Sequence, residues 1–81
     1  MRIDKWLSGV NVVKRRTIAQ DMLNSGVVYV NGVKAKPSKE VKVGDRITIE
    51  YLNGAKEFEV LAIPTTKTIP KSKKSEYVKE L

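Results

Sequence analysis

Gly26-Val27-Val28-Tyr29-Val30-Asn31-Gly32 is the stretch on which the fold turns. Its β-branched and aromatic run reads as a strand. The Asn-Gly pair supplies the two positive-φ positions of a type I′ turn, so the chain folds straight back on itself. The return passes through Val33, Lys34, Ala35 and Lys36 and stops at Pro37-Ser38. Gly26, just before the strand, is a natural left-handed cap for a helix ending there. A helix running into a hairpin sets the class as α+β.

Upstream, the spacing predicts a helix from about Lys14 to Asn24, burying Ile18, Ala19, Met22 and Leu23. Lys14-Arg15-Arg16 stands at its start. Cations there oppose the helix dipole in the free protein and become favourable when a phosphate docks. Further upstream, Ile3, Trp6, Leu7 and Val10 fall at i, i+3, i+4 and i+7, the stripe of a short helix over residues 2–8 with Trp6 as a core anchor. Arg2 and Lys5, three apart, share a neighbouring edge. A connector, Ser8 to Val13, contains Gly9.

Downstream, Val41-Lys42-Val43-Gly44-Asp45 leads into Arg46 to Tyr51, which alternates with Ile47, Ile49 and Tyr51 on one face. A second Asn-Gly pair, Asn53-Gly54, predicts another hairpin returning through Glu57 to Val60. The outward charges are mixed in sign and read as a solvated face. From Pro64 the pattern fails. Thr65 to Ser75 is rich in Thr, Lys, Ser and Pro and reads as an extended or mobile tail, with Tyr77-Val78 and Leu81 as a possible docking turn. Lys67, Lys71, Lys73 and Lys74 either trail along a phosphate backbone or simply keep the tail in water. The expected architecture is two N-terminal helices packed on a small, twisted, mainly antiparallel sheet built from hairpins, with a short extended tail. Residues 1–63 form the domain and 64–81 the lysine-rich tail.

Composition narrows the function. With 81 residues the chain buries a small core, and a binding surface suits it better than a deep catalytic pocket. It has no cysteine and no histidine, which excludes disulfides, Cys/His zinc sites and histidine-activated nucleophiles. No catalytic residue, metal site or cofactor is therefore expected. No segment approaches the roughly 18 apolar residues of a membrane span, and no signal-peptide pattern is present, so the expectation is a cytoplasmic protein with no membrane partner. The net charge is +7, from 16 Lys+Arg against 9 Asp+Glu, and the pI is about 9.8. Most of that charge lies in the first third and the tail, while the middle is balanced, which points to a directed polyanion-binding surface.

The motifs in order carry a resemblance. Arg2-Ile3-Asp4-Lys5-Trp6-Leu7, Lys14-Arg15-Arg16-Thr17-Ile18-Ala19, Gly26 to Gly32, Lys36-Pro37-Ser38 and Val41 to Ile47 together closely resemble the S-four RNA-binding domain, named for small-subunit ribosomal protein four. The resemblance spans residues 2–51. Among free-standing kinds, the chain is similar to the fifteen-kilodalton heat-shock ribosome-associated kind and to the small S-four factors of bacterial ribosome quality control. The Lys-Arg-Arg-Thr-Ile-Ala run favours the latter, and the long basic extension of the former is absent.

What the resemblance implies is binding to large-subunit rRNA and to peptidyl-tRNA, on large ribosomal subunits still carrying a nascent chain. A partner protein that extends the nascent chain without a template is implied too. The rival expectations are a detached RNA-targeting subunit of a modifying enzyme or synthetase, and a non-RNA polyanion binder. A monomer is the default for a domain that closes its own core.

Helical RNA offers phosphates and 2′-hydroxyls more readily than base edges. The expected RNA-binding residues are Arg2, Lys5, Lys14, Arg15 and Arg16, with the arginines ranked first because a guanidinium grips phosphate with two parallel hydrogen bonds. Gln20, one turn beyond Arg16, is placed to bond a ribose or base. Lys34 and Lys36 extend the surface. Asp4 is read as structural, pairing with an arginine or capping its helix, and not as a catalytic carboxylate.

Overall fold

The computed structural model describes residues 1–65 and 69–81. Lys67, one of the tail lysines singled out above, lies outside the described residues. The elements are α1 (Ile3–Gly9), α2 (Arg16–Asn24), β1 (Val28–Val30), β2 (Val33–Lys34), β3 (Arg46–Tyr51) and β4 (Gly54–Val60). A 3-10 turn (Lys71–Lys73), α3 (Lys74–Tyr77) and β5 (Val78–Glu80) follow. One sheet forms in the order β2-β1-β3-β4-β5, antiparallel at every pairing.

The stripe on α1 is complete: Ile3, Trp6, Leu7 and Val10 are all sealed from solvent. They pack on the sheet face carrying Val28, Val30, Ile47, Ile49, Phe58 and Val60. Trp6 sits at the centre and its indole N–H donates to the Ala62 carbonyl at 3.3 Å. A buried indole needs such an acceptor, and cutting the side chain back to alanine would cost about 3–5 kcal/mol. The helix ends where Asn11 takes φ 65°. An asparagine tolerates this left-handed conformation, and it lets the N–H groups of Val12 and Val13 both reach the Leu7 carbonyl at 3.0 Å. Gly9, in the connector, stays helical.

α2 begins two residues later than its hydrophobic pattern implied. Arg15 is extended (φ −135°, ψ 147°) and is the N-cap, and Lys14 precedes it. Only Arg16 of the three cations stands within the first turn. Its buried face is also narrower: Ala19 and Leu23 are inside, Met22 is half-buried, and Ile18 is 42 % exposed. A nine-residue helix laid across α1 covers only one side, and Ile18 falls outside that contact.

The C-terminus of α2 is a Schellman motif. Gly26 takes φ 76°, its N–H donates to Leu23 and that of Val27 donates to Met22. The first hairpin also has the expected turn, with Asn31 at φ 51° and Gly32 at φ 83°. The second hairpin differs. Tyr51 pairs with Gly54, so the loop is Leu52-Asn53, and Gly54 begins β4 instead of closing the turn. Tyr51, expected on the buried face, is 41 % exposed, because the strand runs past the helical layer there.

The largest departure is at the C-terminus. Within the expected tail, the end at Tyr77-Val78 does dock, but as the strand β5 and not as a turn, with Val78 opposite Val60 and Glu80 opposite Phe58. Ile69 and Val78 join the core at 5 % and 6 % exposure. Burying these two residues is the driving force that the polar composition of Thr65–Ser75 conceals.

Candidate RNA-binding face

Asp4 organises the site. It is fully buried, and four donors converge on its carboxylate. Arg2 Nη2 (3.1 Å), Arg16 Nε (3.3 Å) and Gln20 Nε2 (3.0 Å) all reach Oδ2. The backbone N–H of Lys5 donates to Oδ1 at 2.8 Å. Arg16 and Gln20 are four apart on α2, so both side chains project from the same side of the helix, toward α1. Asp4 lies in the first turn of α1, where an anion suits the helix dipole. Burial alone would raise its pKa. The hydrogen bonds from Gln20 and the Lys5 N–H, and the charges of Arg16 and Arg2, outweigh burial and hold the carboxyl below its ordinary 3.8.

This arrangement leaves directed positive charge. Arg16 spends Nε on Asp4, and its two terminal nitrogens have no hydrogen-bond partner among the described residues. Arg2 spends one terminal nitrogen and keeps the other, and its buried Nε has no partner among the described residues. Each of the two arginine side chains is 42 % exposed. Two arginines on one buried carboxylate are thus oriented by the protein, with donors to spare for a phosphate. Arg2 is fixed from the backbone as well. It forms an isolated bridge with Glu40, and Ile3 N–H donates to the Lys39 carbonyl at 2.7 Å. The Glu40 carboxylate is engaged by the Met1 ammonium at 2.7 Å, which hydrogen-bonds it and lowers its pKa.

Lys34 and Lys36 reach the same region from the first hairpin. With Arg2 they line a groove whose floor is Leu23, Asn24, Ser25 and Gly26 at the end of α2. The Lys34 side chain lies so close over Gly26 that a Cβ there would stand 3.1 Å from Nζ. Lys5, Lys14 and Arg15 are exposed. Lys5 adjoins Asp4 on α1, and Lys14 and Arg15 lead into α2, whose first turn holds no acid and has no side-chain cap.

The structure therefore gathers Arg2, Arg16 and Gln20 round Asp4, and joins Arg2 to Lys34 and Lys36 through the groove. Gln20 spends one amide N–H on Asp4, leaving its carbonyl oxygen and its second N–H for a ligand. Asp4 pairs with two arginines, as expected of a structural carboxylate, and the same pairing organises the site. The sequence signal for this is an aspartate beside the apolar stripe of α1, which must be sealed by partners. Among the described residues no cluster of three or more His, Cys, Asp or Glu could hold a metal ion. No described helix is long and apolar enough to cross a membrane.

The S4 domain family matches residues 1–47. A Helicobacter pylori (strain J99) protein named RQC P-site tRNA stabilizing factor is 53 % identical over 78 residues, covering 96 % of this chain and 93 % of that one. Heat shock protein 15 of Escherichia coli is 36 % identical over 63 residues, covering 78 % of this chain and 47 % of its own length. Among solved structures, the trimeric Vibrio cholerae Heat Shock Protein 15 superposes with a TM-score of 0.89 at 31 % identity, covering all of this chain and 81 % of that one. The solution structure of the protein HP1423 superposes with a TM-score of 0.86 at 48 % identity, covering 100 % and 96 %.

Proposed function

From the fact that this chain belongs to the S4 domain family, we propose that it is a ribosome quality-control factor that steadies P-site tRNA on large ribosomal subunits carrying a stalled nascent chain. It works by binding RNA and is not an enzyme. The likeness across 96 % of the chain to a P-site tRNA stabilizing factor supports the role. The observation that carries the mechanism is the pair of guanidiniums held on buried Asp4.

In this reading Arg2 and Arg16 grip backbone phosphates of large-subunit rRNA and of the peptidyl-tRNA. Lys34 and Lys36 follow the strand along the groove, and Lys5, Lys14 and Arg15 widen the cationic face. The Gln20 carbonyl oxygen accepts from a ribose hydroxyl. Recognition is by shape and backbone, since these cationic groups meet phosphates and 2′-hydroxyls more readily than base edges. Holding the tRNA in place while the nascent chain is extended by a partner protein is the work such a clamp performs, in the cytoplasm. The protein acts as a monomer on one site per subunit.

Sedimentation through sucrose tests this. The protein should migrate with large subunits carrying peptidyl-tRNA, in preference to empty subunits and whole ribosomes. Arg2→Ala/Arg16→Ala should release it. Arg16→Lys should restore little, because an ammonium cannot hold Asp4 with one N–H and present a fork with the others. Equal spreading over every particle, indifferent to the substitutions, would sink the proposal.

A further inference from the structure

We infer that the lysine-bearing turn from Lys71 to Lys74 is a second RNA-backbone contact, separate from the Asp4-centred face and anchored by the fold to meet a different stretch of phosphates. The inference rests on the RNA-binding reading above.

Three observations carry it. The first is that these lysines do not sit on a loose tail. Ile69 and Val78 bracket the turn and are buried. The Ile69 N–H donates to the Gly9 carbonyl at 3.0 Å, and Asn11 Nδ2 donates to the Ile69 carbonyl at 2.9 Å. On the far side β5 pairs with β4. The ordering cost of presenting the lysines is therefore met during folding, not on binding.

The second is unspent charge. No ammonium of Lys71, Lys73 or Lys74 is in an ion pair among the described residues. Lys71 and Lys74 are three apart on one turn, a like-charge spacing that is mildly unfavourable in the free protein and is relieved by a bound phosphate. With Ser72 and Ser75 they line a shallow groove over Phe58 and Val78, with Glu80 as its single acid. Lysine stems can lie on such an apolar floor while their heads reach out, and the serine hydroxyls add donors for phosphate oxygens.

The third is position. Phe58 and Val78 belong to the core side of the sheet, so the turn extends the same layer as α1 and α2. One end of α1 carries Arg2 and the other receives Ile69. Lys34 lies on β2 and the lysine turn lies at β5, the two edges of the sheet. At about 4.8 Å per strand spacing that separation is on the order of 19 Å, too wide for neighbouring phosphates of one strand. Lys79, by contrast, stands opposite Glu59 on the outer face and is not part of the patch.

The test measures Kd for large subunits carrying peptidyl-tRNA as KCl is raised, and in parallel for protein-free large-subunit RNA. Lys71→Gln/Lys73→Gln/Lys74→Gln should lower the slope of log K against log salt by about two and weaken binding about tenfold on both targets. Lys79→Gln should change neither quantity. The triple variant should keep its urea midpoint, since none of the three is in the core. An unchanged slope and Kd in the triple variant overturns the inference. So does a loss seen on whole subunits and not on naked RNA, which would assign the patch to an acidic protein. Failure of the unsubstituted chain to bind either target sinks the RNA-binding reading itself, a distinct result.

Discussion

The outer face of the sheet and the helical layer hold charge in opposite ways. On the sheet, Arg46, Glu59 and Lys79 lie side by side across β3, β4 and β5, and the Tyr29 hydroxyl donates to Glu50 at 2.9 Å. Acids and bases alternate at the surface, and water screens each pair. On the helical layer one carboxylate is buried and holds two arginines that remain half-exposed. The helical end of the chain carries the cationic excess while the middle strands are balanced, and the charge is also held differently. The position of the acid makes the difference: on the sheet, acids stand beside bases at the surface and offset their field, while the buried Asp4 orients two arginines and leaves nitrogens for a ligand.

The comparison can be broken in several places. Removing both guanidiniums, Arg2→Ala/Arg16→Ala, should cost the most. Each charge-assisted contact is worth about 1.5–3 kcal/mol, so Kd for the large subunit should rise by about a hundredfold or more. A change under fivefold would mean that the oriented pair is no better than the charges on the sheet. Asp4→Asn comes next. It should lower stability to urea by about 1–3 kcal/mol and weaken subunit binding about tenfold, although it makes the protein more positive. Tighter binding in this variant would show that net charge, not orientation, governs the face.

Acid titration sharpens the same point. Asp4 has a folded pKa below its ordinary 3.8. Its share of the stability is present above that value and is lost as pH falls through the folded pKa. Urea midpoints followed down through this range should therefore fall less steeply in Asp4→Asn than in the parent chain. Smallest of all, Glu59→Gln should alter stability by no more than about 0.5 kcal/mol and leave Kd within twofold. A larger effect would erase the distinction between the two faces.

Elements whose signals are local were legible in advance. The α1 stripe, the Gly26 cap and the Asn31-Gly32 turn each depend on residues within a few positions of one another, and each forms as its chemistry dictates. The second Asn-Gly pair shows the limit. Asn53-Gly54 is as strong a turn signal as the first, yet the register between β3 and β4 moves the loop back to Leu52-Asn53. Helix α2 similarly loses Lys14 and Arg15 from its first turn, because the chain leaving Asn11 is still tied to α1 through Val12 and Val13.

Sequence alone determined the α+β class, the hairpin after α2, the Trp6-centred core and the identity of the cations, because backbone conformation and side-chain periodicity are short-range properties. Tertiary structure alone decided two things. It brought α2 across α1 so that Arg16 and Gln20 reach Asp4, twelve and sixteen residues away in the chain. It also drew the lysine-rich end back as β5, because the apolar surfaces that bury Ile69 and Val78 exist only once α1 and β4 have packed together.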